Sequence, residues 1–549
     1  MKKLFTSLLA FVLAMLMASS ALAELPIVDP AEGMEFTIAV QRNAQQYCDQ
    51  DELPFWKMIE ENTGIKINWI EIPTTSITEK VNLMLAGGDD LPDAFIDCIS
   101  NDMLATYYNQ DVFVCVDEYL DTIMPNLTSI FEQRPQYKSL ATLPDGHMYG
   151  FPYIEEMYGL VLTPGPFFIN KAWLDACNLE VPTTVEEFKN ALIAFRDAGD
   201  LNGNGIADEI PYTLDFGNTN SYDSYDTFNY FCNAFGMQNH AAGRANDYLA
   251  IVDGEVTFTA ANEAYRDTCN FFNELYKENL IDIGAFAPGA DRAIAPYTAI
   301  LSSSDVAIYG AFGIWNINTY LKNPEITNQY VPLPRLTGPT GRKTGEVVNI
   351  SEMQVAARFV ITTECEHPEV LAKLADYIYD PKISVQANNG MAGYVMMYDE
   401  DGCLRENFDE NGNIIYPEGS GWKSTNDARY NTRGTKMASA VLNEYYDVLV
   451  SYDFGAKPIL AGQRENGKDE VLSELSNFPA VLLSSEESTI VSQLQGNIKN
   501  IVESYRIDSI MNGTANANWE SYLSQLKNAG LDQMLDVYRQ AYARYLSNQ

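Results

Sequence analysis

Five segments of alternating hydrophobic period follow one another between residues 34 and 98, and they constrain the fold more than any other feature of the sequence. Residues 34–40 (MEFTIAV) read as a strand. Residues 52–64 carry Phe55, Met58 and Ile59 at helical spacing and stop at Gly64. Residues 65–73 alternate as a strand, residues 76–86 form a helix that ends at Gly87-Gly88, and residues 91–98 (LPDAFIDC) read as a buried strand. Repeated strand–helix–strand units require right-handed crossovers, so the fold class is α/β with a parallel sheet. Such a sheet takes its ligands beyond the carboxyl ends of its strands. Asp97, at the end of the third strand, is therefore a candidate ligand residue.

The later chain continues the pattern. Residues 145–175 predict two extended runs around a turn and then the start of a helix. Thr184 is placed to cap the next helix, with Glu187 three residues on as its capping-box partner. A polar, aromatic-rich stretch follows at 212–240, then a helix at 261–279 and an apolar run at 305–316. From about residue 435 the pattern predicts helices, with Trp519, Tyr522, Leu526, Met534 and Tyr538 on one apolar face near the end. There is no internal repeat.

At 549 residues the chain has room for three to four domain-sized units, or two large lobes. With 75 acidic against 35 basic side chains its net charge is −40, which argues against nucleic acid and against anionic lipid as partners. Three scattered histidines offer little to a zinc hydrolase or a histidine-based triad. Residues 1–23 read as a signal peptide: Lys2 and Lys3, an apolar core from Leu4 to Met17, and Ala21-Leu22-Ala23 before the cut. The expected product is an exported protein of the extracellular space or cell envelope, with neither a transmembrane segment nor a lipobox cysteine. Eight cysteines remain at low density with no CxxC, which favours free thiols over a disulfide framework.

The strongest local motif is Asp200-Leu201-Asn202-Gly203-Asn204-Gly205-Ile206-Ala207-Asp208-Glu209. Oxygen side chains at Asp200, Asn202, Asn204 and Asp208 take positions 1, 3, 5 and 9 of an EF-hand-like loop, and Gly205 takes the sharp turn at position 6. Ile206 would offer its backbone carbonyl. Pro211 stands where the twelfth-position Glu belongs, so Glu209 is the candidate replacement carboxylate. Such a set suits Ca2+ in a structural role. Asp399-Glu400-Asp401-Gly402 and Asp409-Glu410-Asn411-Gly412 read instead as hairpin turns. Gly338-Pro339-Thr340-Gly341-Arg342-Lys343-Thr344 misses a phosphate loop by one residue and reads as a surface turn.

Tyrosines outnumber phenylalanines, 33 to 25, and there are six tryptophans. Aromatic faces stack on sugar rings, and tyrosine hydroxyls bond their polar edges. Tyr153, Phe235, Tyr309, Trp315, Tyr394 and Trp422 are the aromatic candidates for a ligand cleft, with Trp315 in a Gly-punctuated run (YGAFGIWN) as the leading platform. Glu156 is the polar candidate from the Glu155-Glu156 pair. Neighbours on a strand point to opposite faces, so the two cannot flank one glycosidic bond.

FWKMIEENTGIKINWIEIP…EKVNLMLAGGDDLPDAF resembles the opening of the large extracellular solute-binding proteins of ABC importers. FFINKAWLDACNLEVPTTVEEFKNALIAFRDAGDLNGNGIADEIP resembles their central stretch, LYKENLID a later helix and WESYLSQLKNAGLDQMLDVYRQAYARY their last helices. The likeness is greatest to the long, oligosaccharide-binding branch. It implies a two-lobe periplasmic-binding-protein-like fold with hinge-crossing segments and a cleft between the lobes. It also implies a monomer that hands a small solute, an oligosaccharide, to ABC permease subunits. The first lobe is expected over 24–155 plus 347–390 and the second over 156–346 plus 391–549, with crossings near Gly150-Phe151-Pro152 and Gly338–Gly341. The family carries the same variant cation loop, and its aromatic run corresponding to residues 309–316 lies at the cleft. Two departures stand out. Gly390-Met391-Ala392-Gly393-Tyr394 lacks the family's carboxylate, and the acylation cysteine of many relatives is missing. A secreted polysaccharide-active enzyme and a ligand sensor for a membrane kinase are the alternative readings.

Overall fold

The computed structural model describes residues 25–29, 33–87, 90–156, 167–215, 226–237, 248–286, 296–314, 317, 321, 323–345, 353–407, 409, 414–422, 424–451 and 475–549. Two α/β lobes emerge, each with its own hydrophobic core. Lobe one is built on a six-stranded sheet in the order Ser439–Val441, Phe151–Glu155, Met353–Ile361, Ala94–Ile96, Glu35–Arg42, Lys66–Pro73. Five strands run in one direction and Met353–Ile361 runs against them. The expected early elements form: helix Pro54–Thr63 closes at Gly64, whose φ of 74° suits a residue without Cβ. Helix Ile77–Gly87 follows strand Lys66–Pro73.

Lobe two holds a four-stranded sheet, Tyr330–Pro332, Phe167–Asn170, Tyr309–Gly313, Ile210–Tyr212. Its core gathers residues from Phe167 to Leu336 and from Phe478 to Tyr538. Helix Val185–Ala198 starts at the expected capping box of Thr184 and Glu187. Lobe two is thus inserted between residues 156 and 353 of lobe one, and it takes its last helices, Ser485–Asn512, Ala515–Asn528 and Leu531–Ser547, from the end of the chain. Helix Ser485–Asn512 also touches lobe one, where Ser488 donates to Asp102 at 2.7 Å.

The structure corrects the expected boundaries in three places. Residues 391–451 do not join lobe two. Met396, Leu404 and Met437–Leu442 pack into the core of lobe one, and Ser439–Val441 pairs with Phe151–Glu155. The apolar run after residue 435 is buried as the strand Ser439–Val441, only the short helix Tyr445–Val448 follows it closely, and among the described residues the long helices begin at Ser485. Gly150 is not a hinge. A Cβ there would lie 2.7 Å from Ala357 Cβ and 3.1 Å from Phe359 O, so glycine is required by close packing inside the sheet. Residues 157–166, 346–352 and 452–474, which fall in the chain between lobe-one and lobe-two residues, lie outside the described residues, as do the signal-peptide region and Trp315.

Candidate functional site

The carboxyl edge of the lobe-one sheet gathers a polar cluster that the strand directions dictate. The Ala94–Ile96 strand ends at Asp97, whose φ of 54° lies in the left-handed region that Asp tolerates better than most residues. Its N–H donates to Arg358 O at 2.8 Å, and its carboxylate pairs with the Arg358 guanidinium. Burial raises the Asp97 carboxyl, and Arg358 offsets only part of that.

One strand over, Tyr153 and Glu155 share a face by the two-residue period. The Tyr153 hydroxyl lies 2.5 Å from Glu155 Oε2 and 2.7 Å from Asn388 Oδ1, and it accepts from Lys436 at 2.6 Å. Glu155 accepts from Asn388 Nδ2 at 2.7 Å, from Lys436 at 3.2 Å and from Tyr446 at 3.2 Å. Arg433, buried, donates to Asn388 O at 3.0 Å. Burial alone would raise the Glu155 carboxyl, but Lys436, Tyr153 and Asn388 outweigh it and hold it at about 2. Asp97 and Lys436 keep 26% and 31% of their side chains exposed, so they are the members of the cluster that can reach a ligand.

That depressed carboxyl makes a pH prediction. A group whose folded pKa lies below its unfolded value of 4.5 adds stability that is complete above pH 4.5 and is lost as pH falls toward 2. The shift corresponds to about 3 kcal/mol. Urea midpoints at pH 6 and pH 2.5 should show Glu155→Gln losing most of that difference relative to the parent. An acid limb of unchanged depth would overturn the assignment.

Other sequence candidates land elsewhere. Tyr153 is 2% exposed, with the Arg358 guanidinium 5.1 Å and the Lys436 ammonium 4.7 Å from its ring centroid, so it organises the cluster and offers no stacking face. Glu156 points away from Glu155, as strand alternation requires. Arg134 grips it with two bonds of 2.5 and 3.1 Å, and Tyr137 and the Asn443 N–H add bonds of 2.8 and 2.7 Å. It is a buried structural anion. Tyr309 is fully buried in the lobe-two core, where its carbonyl accepts from Tyr330. Phe235 is half-buried against Phe271, ring centroids 5.5 Å apart.

Tyr394 and Trp422 do come together, with ring centroids 6.4 Å apart and planes at 44°. Both are half-buried. A narrow crevice nearby is lined by Asn389, Gly390, Met391, Thr425, Arg429 and Thr432. It borders Asn388 and Arg433 of the polar cluster in sequence. Sequence reasoning missed Glu155, Arg358, Asn388, Arg433 and Lys436. The period of the 151–155 strand, which puts Tyr153 beside Glu155 and not Glu156, was the available signal.

The 200–209 loop folds as its spacing dictates. Gly203 and Gly205 take φ of 74° and 87°. Asp200 Oδ2 accepts the Gly205 N–H at 2.9 Å, Asn202 Oδ1 the Asn204 N–H at 3.0 Å, and Asn204 Oδ1 the Ile206 N–H at 2.7 Å. Asp208 accepts from the Asn202 and Asn204 amides, both at 3.1 Å. Glu209 Oε1 accepts the Leu201 and Asn202 N–H groups at 2.5 and 2.8 Å, which turns its side chain back into the loop. Its other oxygen, Oε2, is buried without a hydrogen-bond partner among the described residues. An orphaned buried carboxylate oxygen in a ring of oxygens fits a hard cation.

Comparison with known proteins gives concordant matches. Residues 40–384 match the family of bacterial extracellular solute-binding proteins. The chain is 30% identical over 508 residues to FusA of Streptococcus pneumoniae serotype 4, a fructooligosaccharide ABC transporter substrate-binding protein, covering 91% of this chain and 88% of FusA. Structures of FusA with kestose, and of a FusA EF-hand mutant with fructo-nystose, match with a TM-score of 0.73 at 28% identity, over 94% of this chain and 100% of theirs. A solute-binding protein from Bifidobacterium longum infantis, associated with an HMO-binding ABC transporter, shares the fold with a TM-score of 0.75 at 23% identity, over 93% and 99% of the chains.

Proposed function

Because the chain belongs to the bacterial extracellular solute-binding protein family, we propose that it captures an oligosaccharide of the fructooligosaccharide class outside the cell and presents it to the permease of an ABC importer. The observation that carries this reading is the polar cluster at the carboxyl edge of lobe one. Asp97 and Lys436 face outward from a rigid buried support of Tyr153, Glu155, Arg358 and Asn388. Charged side chains make the stronger hydrogen bonds to neutral hydroxyls, and a fixed support lowers the ordering cost of binding. Tyr394 and Trp422 would add a stacking surface on the same lobe.

The work of such a protein is binding and lobe closure, with no bond made or broken. Calcium in the 200–209 loop would be held by Asp200, Asn202, Asn204, the Ile206 carbonyl, Asp208 and Glu209. It would supply charge neutralisation and cross-linking there. The loop precedes strand Ile210–Tyr212, at the sheet edge opposite its carboxyl ends, so the role is structural. Cleavage after Ala23 would release the exported form.

Calorimetry with kestose, nystose and unrelated neutral and uronate oligosaccharides tests the proposal. One equivalent of a fructo-oligosaccharide should bind and be recovered intact, whereas a polysaccharide-active enzyme would release shorter products. Asp97→Asn keeps the left-handed backbone accessible and removes the charge. It should weaken binding by about 1.5–3 kcal/mol; because it also takes the counter-charge from the largely buried Arg358, affinity is compared at a temperature where the melting curve shows the variant fully folded. Unchanged affinity in that variant would move the cleft away from Asp97.

A further inference from the structure

We propose that Cys115, Asp117 and His147 form a binding site for a divalent transition ion of the zinc class, on the side of lobe one that faces away from the cleft. One ligand atom from each, thiol sulfur, carboxylate oxygen and imidazole nitrogen, lies within 4.8 Å of the other two. A tetrahedral zinc with bonds of about 2.0–2.3 Å holds its ligand atoms roughly 3–4 Å apart. Side-chain adjustments of about 1 Å therefore close the set.

The residues come from two segments already fastened to each other. Cys115 leads into helix Asp117–Ile123, and His147 sits in the turn before strand Phe151–Glu155. The Val116 N–H donates to Met148 O at 2.9 Å and the Met148 N–H to Asp117 Oδ1 at 3.0 Å. His147 Nδ1 lies 2.7 Å from Asp117 Oδ2. One Asp117 oxygen is thus held by the backbone while the other is aimed at the imidazole. A metal-bound carboxylate is commonly oriented this way from outside the ligand shell. Asp145 plays a similar outer part, accepting the His147 N–H at 3.0 Å and the Tyr149 hydroxyl at 2.9 Å.

Position separates this site from the sugar cluster. The Val114 N–H donates to Ile361 O, at the carboxyl end of the one strand that runs against the others. That end lies opposite Asp97 and Glu155. Cys115 is not in a disulfide, and the His147 and Asp117 side chains are 54% and 37% exposed, so an ion can enter and keep water as its fourth ligand. The donor set also separates the two cation sites of the protein. Sulfur and imidazole select a borderline transition ion, whereas the all-oxygen 200–209 loop selects a hard one.

Cobalt(II), a spectroscopic stand-in for zinc, tests the site in the full-length, calcium-saturated protein under a phosphine reductant. One equivalent should produce a thiolate-to-cobalt charge-transfer band and tetrahedral d–d bands, both erased by zinc. Cys115→Ser should remove the charge-transfer band. His147→Ala should weaken zinc binding by more than about 10-fold, and His367→Ala should leave it unchanged. Zinc should also slow alkylation of Cys115 in the unsubstituted protein, a readout that needs no variant to fold. Absence of the band, its survival in Cys115→Ser, or alkylation indifferent to zinc would each overturn the proposal.

Discussion

Asp226→Ala is expected to destabilise lobe two by about 3–5 kcal/mol, the cost of stranding a buried charge. Asp226 and Arg506 form the most deeply buried ion pair among the described residues, 0% and 1% exposed, with Oδ2 and Nη1 2.8 Å apart. Asp226 Oδ1 also accepts the Phe228 N–H at 3.1 Å, and the guanidinium lies 5.1 Å from the Phe228 ring centroid. The pair joins Ser485–Asn512, the first of the three last helices, to the start of helix Phe228–Cys232. Without the carboxylate, Arg506 stays in the core with its main counter-charge gone. Urea unfolding followed by a lobe-two probe should show the loss. Lys171→Ala, which breaks the half-exposed pair with Asp175, should cost at most about 1 kcal/mol. An Asp226→Ala midpoint as close to the parent's as that of Lys171→Ala would overturn the argument.

Chelating the calcium proposed for the 200–209 loop is expected to give the second large effect. Saturation at about a thousand times Kd adds roughly 4 kcal/mol to the state that binds the ion. For a lobe of this size that is a shift on the order of 10 °C in its melting transition. The loop ties helix Val185–Ala198 to the edge strand Ile210–Tyr212, so the loss falls on lobe two. Asp200→Ala with Asp208→Ala should melt at the chelated temperature whether or not calcium is present. Coincident melting curves for the parent protein in calcium and in chelator would remove the ion from the loop.

Much of this architecture was legible because its signals are local. The alternation of period over residues 34–98 marks the same strands and helices that the structure contains, since each element buries one face of its own sequence. The capping box at Thr184 and the turn glycines of the 200–209 loop are equally self-contained. What the sequence hid is non-local. Nothing near residue 439 announces that Ser439–Val441 will lie beside Phe151–Glu155, and the run before Tyr446 has a helix-like composition yet is buried as a strand. Lys436 and Arg358 belong to no motif in the sequence, and only the sheet brings them to Tyr153. Glu156 drew attention as a cleft acid, but Arg134, which neutralises it, comes from a distant helix end.

The nesting of lobe two within lobe one has a consequence for the order in which a growing chain can fold. The strand Ala94–Ile96 waits for Met353–Ile361 before its second edge is paired, and Phe151–Glu155 waits for Ser439–Val441. Lobe two, though begun at Phe167, lacks the partner of Asp226 until residue 506 is made. At about 5–20 residues per second, synthesis of the whole chain takes roughly half a minute to two minutes, and neither lobe can close until near its end. Sheet edges and apolar helix faces stay open through most of that interval. A delayed closure of this kind keeps the polypeptide loose enough to thread through a narrow channel. It also means that a stop codon before Ser439 leaves two unfinished lobes, whereas one just before the last helices leaves lobe two unfinished beside a completed lobe-one sheet.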